Sequence, residues 1–252
     1  MQQSTKNIVN SQAEPVEKFA QASFIESKLG ESIFQSIWSD FCIIFERDPA
    51  ARNWLEIVFC YPGLHALCMH RIAHSLYQRQ VRFIPRLLSH IARFLTGIEI
   101  HPGAKIGKGV FIDHGMGVVI GETAIIGDYS LIYQGVTLGG TGKESGKRHP
   151  SLGQNVVVGT GAKVLGNIDI GDRVRIGAGS VVLKNVPCDS TVVGIPGRNI
   201  SHKRNDISPL EHAKLPDVEA KIIRSLAERV EHLEKQLQTL RMHSVEKELL
   251  RK

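Results

Sequence analysis

Aliphatic residues recur every six positions through the middle of this chain. Thirteen of them run from Ile100 to Val182. They are Ile100, Ile106, Ile112, Ile120, Ile126, Ile132, Leu138, Leu152, Val158, Val164, Ile170, Ile176 and Val182. Only two steps are longer, eight residues after Ile112 and fourteen after Leu138. A fixed short period is typical of a solenoid, in which each repeat contacts only its neighbours.

Each six-residue unit is expected to form a short strand and a tight turn. Glycine often follows the aliphatic residue, as in Ile106-Gly107, where it suits the turn conformation. Three units close one triangular coil, and stacked coils bury a continuous aliphatic column. We therefore predict a parallel β-helix of hexapeptide repeats over residues 98–200. A passive structural rod is the alternative, but the two long steps hold polar clusters, Asp113-His114 and Arg148-His149.

The region before the solenoid has helical periodicity instead. Residues 1–15 are polar and predicted to be disordered, and residues 16–97 are predicted to form an α-helical domain that caps the solenoid. Ser32 is the expected cap of its first helix. Apolar spacings of three and four predict three buried stripes. The stripes are Ile33, Ile37, Phe41 and Ile44; Leu64, Leu67, Met69, Ile72, Ala73 and Leu76; and Leu87, Leu88, Ile91 and Leu95.

A second helical segment follows the solenoid. Residues 201–217 are expected to form a polar linker, and residues 218–252 carry a heptad pattern. Ile223, Val230 and Leu237 fit position a, and Leu226, Leu233 and Leu240 fit position d. This pattern predicts a C-terminal helix in a coiled coil. An amphipathic helix folded back on the body is the alternative.

Composition excludes several functional classes. The net charge of +6 is spread evenly, with 10 basic against 8 acidic residues in 1–97, 10 against 8 in 98–200 and 11 against 9 in 201–252. We therefore expect no nucleic-acid partner. The four cysteines have neither metal-ligand nor disulfide-framework spacing, which favours reduced thiols and a cytoplasmic protein. No apolar run approaches the roughly 18 residues of a membrane span, and no signal-peptide pattern opens the chain.

Several blocks of sequence closely resemble the serine O-acetyltransferases. They are IEIHPGA from Ile98, FIDHGMGVVIGE from Phe111, GVTLGGTG from Gly135, KRHP from Lys147, GIPG from Gly194 and, upstream, RDPA from Arg47. The resemblance covers roughly residues 30–200. It implies left-handed coils and transfer of acetyl from acetyl-CoA to the hydroxyl of L-serine. The product, O-acetyl-L-serine, commits serine to cysteine biosynthesis.

The resemblance also implies catalytic roles. His114 matches the general base, which a neutral serine hydroxyl needs because it is a poor nucleophile. Glu99 stands where the family has an acidic residue that orients this histidine. Asp48 and Asp113 match the residues that hold the amino group of serine, and Arg148 matches the cation that meets its carboxylate. His149 matches a second histidine that binds serine or polarises the thioester carbonyl.

Acetyl-CoA is the expected co-substrate, and no metal is expected. Its predicted contacts are Gly140, Thr141, Thr160, Gly161, Arg175 and Ala178. Thr160 replaces an alanine common in the family, and Arg175 replaces a lysine. The resemblance implies a groove between adjacent solenoids, so that residues of two chains complete each site. A homotrimer or a dimer of trimers is therefore expected.

Three alternatives and two further partners remain at this point. A trimeric metalloprotein like the γ-type carbonic anhydrases would need His101, His114 and His149 on one zinc ion. The others are an acetyltransferase for sugars or antibiotics and an inactive regulatory partner. L-cysteine is the expected feedback inhibitor at the serine site. O-acetylserine sulfhydrylase binds a terminal isoleucine of many members, whereas this sequence ends Arg251-Lys252, so weak or absent binding is expected.

Overall fold

The computed structural model describes residues 33–142, 145–200 and 223–237, which fall into two compact units on either side of the 212–213 boundary. The first unit opens with helices α1 (Ile33–Arg47), α2 (Trp54–Cys60), α3 (Pro62–Gln78) and α4 (Ile84–Thr96). In the second unit, α5 spans residues 223–237. The predicted cap Ser32, the disordered segment 1–15 and the linker 201–217 lie outside the described residues.

Fifteen short strands follow α4 in the described part of the chain. They are β1 (Glu99–Ile100), β2 (Lys105–Ile106), β3 (Phe111–Asp113), β4 (Val119–Ile120), β5 (Ile125–Ile126), β6 (Leu131–Tyr133), β7 (Thr137–Gly139), β8 (Ser151–Leu152), β9 (Val157–Val158), β10 (Lys163–Leu165), β11 (Asp169–Ile170), β12 (Arg175–Ile176), β13 (Val181–Val182), β14 (Thr191–Val193) and β15 (Arg198–Ile200). They form three sheets, ordered β1-β4-β7-β10-β13, β2-β5-β8-β11 and β3-β6-β9-β12-β14-β15. Every pair is parallel except β14 with β15.

The six-residue aliphatics stack in register inside these coils. Ile100 pairs with Ile120, which pairs in turn with Leu138 on the next coil. All thirteen are at most 4% exposed. Their stacking buries one continuous aliphatic column, which confirms the predicted β-helix.

The two long steps in the period fall on two connections between strands. The first is the turn from β3 to β4, and the second is the loop from β7 to β8. In the first connection Val118 still joins the aliphatic core, whereas the His114 side chain is exposed. The scaffold therefore places His114, which directly follows Asp113 at the end of β3, and Arg148-His149 on connections between strands.

The helical domain packs on the outer face of the six-stranded sheet. Ile43, Ile44, Ile57 and Leu64 form one buried cluster with Phe111, Leu131, Tyr133 and Val157 of the strands. The approach is close, because a methyl group on Gly63 would lie 2.1 Å from the carbonyl oxygen of Ile112. This packing brings the end of α1 to the end of β3.

A buried ion pair ties α1 and α3 to the first coil. Arg71 Nη2 lies 2.6 Å from Asp40 Oδ2 and also donates to the carbonyl of Gly107 at 2.8 Å. The backbone N–H of Val110 donates to the other Asp40 oxygen at 3.2 Å. Burial raises the pKa of Asp40 to about 6, although Arg71 opposes this shift.

The predicted helix faces are only partly right. In α1 the buried residues are Asp40, Ile43 and Ile44, and Ile33 is exposed. In α3 His70 and Arg71 are buried, whereas Ile72 is 52% exposed.

The predicted stripe of α4 is wrong. Small and polar residues, including Ser89 and Ala92, face the body, while Leu87, Ile91 and Leu95 are exposed. The hydroxyl of Ser89 donates to the Ile100 carbonyl at 2.6 Å, which holds this narrow face against β1.

The second unit is described only along α5. Ile223, Leu226, Val230, Leu233 and Leu237 are each more than half exposed on this helix. Their heptad spacing leaves an apolar stripe without cover within the described residues. Among the described helices, none has the length and apolar character needed to cross a bilayer.

Candidate active site

His114 occupies the turn between β3 and β4. Its φ of 57° is unusual for a residue with a side chain, and Gly115 follows with φ 73°. A methyl group on Gly115 would lie 2.4 Å from Ile98, so only glycine fits there. The turn lifts the imidazole away from the coil, with its side chain 75% exposed and Nε2 3.8 Å from Asp113 Oδ1.

Asp48 is held at the end of α1 by two hydrogen bonds. Its Oδ1 accepts from the backbone N–H of Ala50 at 2.8 Å, which is the turn interaction expected of an Asp-Pro sequence. Its Oδ2 accepts from the hydroxyl of Tyr61 at 2.7 Å. Burial and Asp48 raise the pKa of Tyr61, so the phenol stays a donor.

These residues line one cavity of about 400 Å³. Its lining is Arg47, Asp48, Pro49, Phe111, Asp113, His114, Tyr133, Gln134 and Thr160. Four predicted site residues therefore meet here: Asp48, Asp113, His114 and Thr160. The packing of α1 on the six-stranded sheet brings Asp48 to the other three, although it is 65 residues before Asp113 in sequence.

Sequence reasoning missed several neighbours of this cavity. Tyr133 is the register partner of Asp113 on the next coil. The spacing of twenty residues between them is one coil, so the sequence could have identified this neighbour. Gln134 follows it and keeps its Oε1 buried without a hydrogen-bond partner among the described residues. Tyr61 had no signal of its own, since only the packing of α3 on α1 brings it to Asp48.

A second polar group surrounds the loop from β7 to β8. Arg148 Nη2 lies 2.6 Å from Glu122 Oε2, and the Tyr77 hydroxyl donates to the other Glu122 oxygen at 3.4 Å. The hydrogen bond from Arg148 is the main reason that the pKa of Glu122 lies below its usual range. Glu122 thus orients the guanidinium.

His149 is buried beside Arg148. Its ring lies directly on Gly121, where an added methyl group would come within 2.0 Å of Cδ2. Thr123 contacts its Nδ1 through both the backbone N–H and the hydroxyl. Burial, followed by the charges of Arg148 and Lys147, lowers the pKa of His149, so the imidazole is neutral at pH 7.

Glu99 has a different partner from the one expected. Its Oε2 lies 3.0 Å from Arg93 Nη1 in the last turn of α4. Within the described residues, the ion pair of Glu99 is with Arg93, and that of His114 is with Asp113. The structure therefore does not bring Glu99 and His114 into contact in the single chain.

Some of the residues predicted to contact acetyl-CoA lie beside Arg148 and His149, and others lie beside the His114 cavity. Gly140 packs against Arg148 and His149, and a methyl group on Gly166 would lie 3.2 Å from Thr141 Oγ1. Thr160 lines the His114 cavity, and the N–H of Gly161 donates to the Gln134 carbonyl at 2.8 Å.

Two further predicted contacts lie on the adjoining coil. Arg175 pairs with Val157 and Thr191 in the six-stranded sheet and acts electrostatically on Tyr133 of the His114 cavity. A methyl group on Gly159 would come within 2.7 Å of the backbone nitrogen of Ala178.

Among the described residues, no group of three histidine, cysteine or acidic side chains is arranged to hold a metal ion. His101, one of the three histidines of the metalloprotein alternative, instead accepts from the N–H of Gly103 and contacts the Tyr77 ring edge-on. Burial, followed by the charge of Arg86, lowers its pKa to about 4.

A hexapeptide β-helix with an exposed histidine and a carboxylate-lined cavity defines the class as the hexapeptide-repeat acyltransferases. In agreement, the family model described as bacterial transferase hexapeptide (six repeats) matches residues 149–184. Serine acetyltransferases of Synechocystis sp. and Synechococcus elongatus are 70% and 66% identical to this chain over 214 residues. That length is 85% of this chain and 86% and 88% of the two relatives. The chain therefore belongs to the serine acetyltransferase family.

Solved structures agree with this assignment. The serine acetyltransferase of Neisseria gonorrhoeae is 42% identical with a TM-score of 0.66, covering 68% of this chain and 67% of that one. A soybean serine acetyltransferase complexed with serine has the same identity and TM-score, covering 71% and 72%. A further serine acetyltransferase, in complex with cysteine, is 38% identical with a TM-score of 0.66, covering 75% and 71%.

Proposed function

We propose that this acyltransferase uses His114 as the general base in the transfer of acetyl from acetyl-CoA to L-serine. The imidazole takes the proton of the serine hydroxyl as the oxygen attacks the thioester carbon. Collapse of the tetrahedral intermediate breaks the carbon–sulfur bond, and the imidazolium returns its proton to the CoA thiolate. The observation that carries this proposal is the single cavity containing Asp48, Asp113, His114 and Thr160.

Serine recognition is proposed to rest on the charged side chains beside His114 and on the β7–β8 loop. Asp48 and Asp113 are carboxylates beside His114 and suit the ammonium of the substrate. Arg148 suits its carboxylate, because a guanidinium held by Glu122 at 2.6 Å is already oriented. His149 is the donor to a substrate oxygen. Glu99 is assigned to orient His114, a role in which it would have to leave or share Arg93.

The proposed site combines half-sites of two chains. The His114 cavity does not include Arg148 or His149 among its described lining residues. A neighbouring copy that supplies Arg148, His149, Gly140 and Thr141 would complete both the serine site and the acetyl-CoA groove. The exposed apolar face of α4, including Leu87 and Ile91, is available for such a contact. A homotrimer, alone or paired as a hexamer, is therefore the proposed active assembly.

Acetyl-CoA is proposed to bind along the coils that carry its predicted contact residues. Thr160 and Gly161 lie on the coil beside the His114 cavity, and Arg175 and Ala178 lie on the next coil. Gly161 has φ 69°, and a methyl group there would meet no atom within 4 Å, so its backbone is open to a ligand. The Arg175 guanidinium offers a cation for phosphate.

L-cysteine is proposed as a feedback inhibitor at the serine site. The cysteine complex of a relative supports this, because the two amino acids share the ammonium and carboxylate that the site recognises. The sulfhydrylase interaction is proposed to be weak, on the basis of the basic C-terminal residues. All four cysteines are free thiols, which supports the proposed cytoplasmic location.

A thiol-release assay with acetyl-CoA, with and without L-serine, tests the function. Wild-type protein is expected to release CoA only when serine is present. His114→Ala is expected to lower this rate by about 10²-fold or more, the effect of losing a general base. His232→Ala, at an exposed position of α5 outside the a and d positions of its heptads, is the matched control. Release that does not depend on serine would contradict the proposed acceptor, and an active His114→Ala enzyme would contradict the proposed base.

A further inference from the structure

Thr123 makes a dense set of contacts with the KRHP segment. Its hydroxyl oxygen accepts from the backbone N–H groups of Arg148 at 3.0 Å and His149 at 3.1 Å. Its carbonyl accepts from Lys147 Nζ at 2.9 Å. One threonine thus fixes the backbone of both residues proposed to bind serine.

The same threonine also contacts the imidazole of His149. The Thr123 backbone N–H points to Nδ1 at 3.2 Å, and Thr123 Oγ1 lies 2.9 Å from the same nitrogen. A backbone N–H can only donate, so Nδ1 must be the unprotonated, accepting nitrogen. The hydroxyl already accepts two hydrogen bonds, so its own proton is the one that faces Nδ1.

We infer that Thr123 is a positioning residue that fixes His149 as an Nε2–H donor to an oxygen of the bound substrates. The inference rests on the proposed function, in which His149 contacts the substrates. It adds the tautomer, the residue that selects it, and the consequence that His149 cannot serve as a second base through Nδ1. Protonation of Nδ1 would break both Thr123 contacts.

The surroundings of Nε2 fit a donor to an anionic oxygen. A methyl group on Gly140, a predicted acetyl-CoA contact, would lie 3.3 Å from Nε2. The charged and titratable groups facing the ring are Arg148, Lys147, Glu122 and His101. The two cations favour a neutral imidazole, and the lowered pKa of His149 agrees with this. The oxygen is either the serine carboxylate or the oxyanion formed from the thioester.

Nitrogen-15 NMR of the imidazole groups tests the tautomer directly in the resting wild-type enzyme. His149→Asn identifies the signals. We expect an unprotonated Nδ1 and a protonated Nε2, whatever the acceptor substrate proves to be. A proton on Nδ1 in the neutral wild-type enzyme would overturn the inference while leaving serine-dependent activity intact, so the two failures are distinguishable.

Two substitutions test the hydroxyl. Thr123→Val removes it at nearly constant volume, and Thr123→Ser retains it. We expect Thr123→Val to lower activity by about 10- to 100-fold and to raise the pKa of His149. Thr123→Ser is expected to keep both the activity and the pKa of His149 close to those of the wild type. A fall in kcat indicates an oxyanion contact, and a rise in the KM for serine indicates a carboxylate contact. Thr137→Val, the same change at a partly exposed site in β7, is the matched control.

The pKa readout separates positioning from simple support of the fold. A Thr123→Val enzyme that loses activity while His149 titrates as in the wild type would show a structural role only and overturn the inference. An enzyme with wild-type activity and wild-type titration would overturn it as well. If Thr123→Val fails to fold, the wild-type tautomer still decides.

Discussion

At the scale of single residues, two of the proposed site residues are held by neighbours that do not stand out in the sequence. Asp48 is bound by Tyr61, and His149 is bound by Thr123. His114, Arg148 and Asp113 could be identified beforehand, because they interrupt the six-residue period and match the family. Tyr61 and Thr123 could not, because each has its role only through a contact that the folded chain creates.

Tyr61→Phe tests the support of Asp48. Loss of the 2.7 Å hydrogen bond leaves the carboxylate less well oriented for the serine ammonium. We expect the KM for serine to rise about 3- to 10-fold with kcat nearly unchanged, as one hydrogen bond is worth about 0.5–1.5 kcal/mol. Initial-rate kinetics measure this, with Tyr129→Phe as the control. An unchanged KM would show that Asp48 does not depend on Tyr61 or does not bind serine.

At the scale of elements, the strands followed the sequence pattern more closely than the helices did. Each coil has a single interior, so the six-residue period of the aliphatic residues determines which side chains are buried. The apolar stripe of α4 can pack either against the body of its own chain or against another surface. Ser89 and Ala92 permit closer packing against β1 than leucine would, so the small face points inward and Leu87 and Ile91 point outward.

The Asp40–Arg71 pair is the element-scale contact most open to a stability test. Asp40→Ala leaves a buried guanidinium without its carboxylate, and we expect a loss of about 3–5 kcal/mol in the free energy of unfolding. Arg173→Ala removes an exposed pair with Asp189 and is expected to cost less than about 1 kcal/mol. Chemical denaturation measures both. Equal effects would contradict the importance assigned to burial.

The pH dependence of this pair has a definite sign. The folded-state pKa of Asp40, about 6, is above its ordinary value of 3.8, so the folded chain holds this proton more tightly. Its contribution to stability is largest below the ordinary pKa and is lost as the pH rises through the folded pKa. We therefore expect the stability advantage of wild type over Asp40→Asn to shrink between about pH 4 and pH 7. An advantage that grows over this range would contradict the raised pKa.

At the scale of the whole molecule, the residues proposed to bind serine lie in two separate places on the single chain. The His114 cavity lies at the junction of the helical domain and the six-stranded sheet, whereas Arg148 and His149 belong to the β7–β8 loop. Assembly of several copies is the proposed way to join them. A site shared by two chains also makes activity dependent on quaternary structure.

Mixed oligomers test the shared site. His114→Ala and Arg148→Ala are each expected to be inactive alone. When co-expressed, random assembly of a cyclic oligomer joins an intact His114 half to an intact Arg148 half in about a quarter of the sites. We expect about that fraction of wild-type activity. Co-expression of His114→Ala with Asp48→Ala, which lie in one half, is the control and should recover none. Equal recovery from both pairs would contradict the division.

The heptads of α5 predict a further contribution to assembly. Removal of residues 217–252 is expected to lower the number of chains per particle at dilute concentration, because the deletion removes the exposed stripe from Ile223 to Leu237 that would pair between copies. Light scattering of the two proteins measures this. Replacing Leu226 and Leu233 with glutamine is the matched variant in the full chain. An unchanged number of chains per particle after the deletion would exclude an assembly role for this helix.

The sequence alone determined the β-helix, the two connections that carry polar residues, the enzyme family and the identity of most proposed site residues. These follow from local periodicity and short motifs, because each coil contacts only its neighbours and each six-residue unit carries its own buried aliphatic residue. Only the tertiary structure decided that Asp48 meets His114, that Thr123 orients His149, that Glu99 pairs with Arg93 and that α4 turns its apolar face outward. Each of these depends on how separate segments pack, and no local pattern encodes that packing.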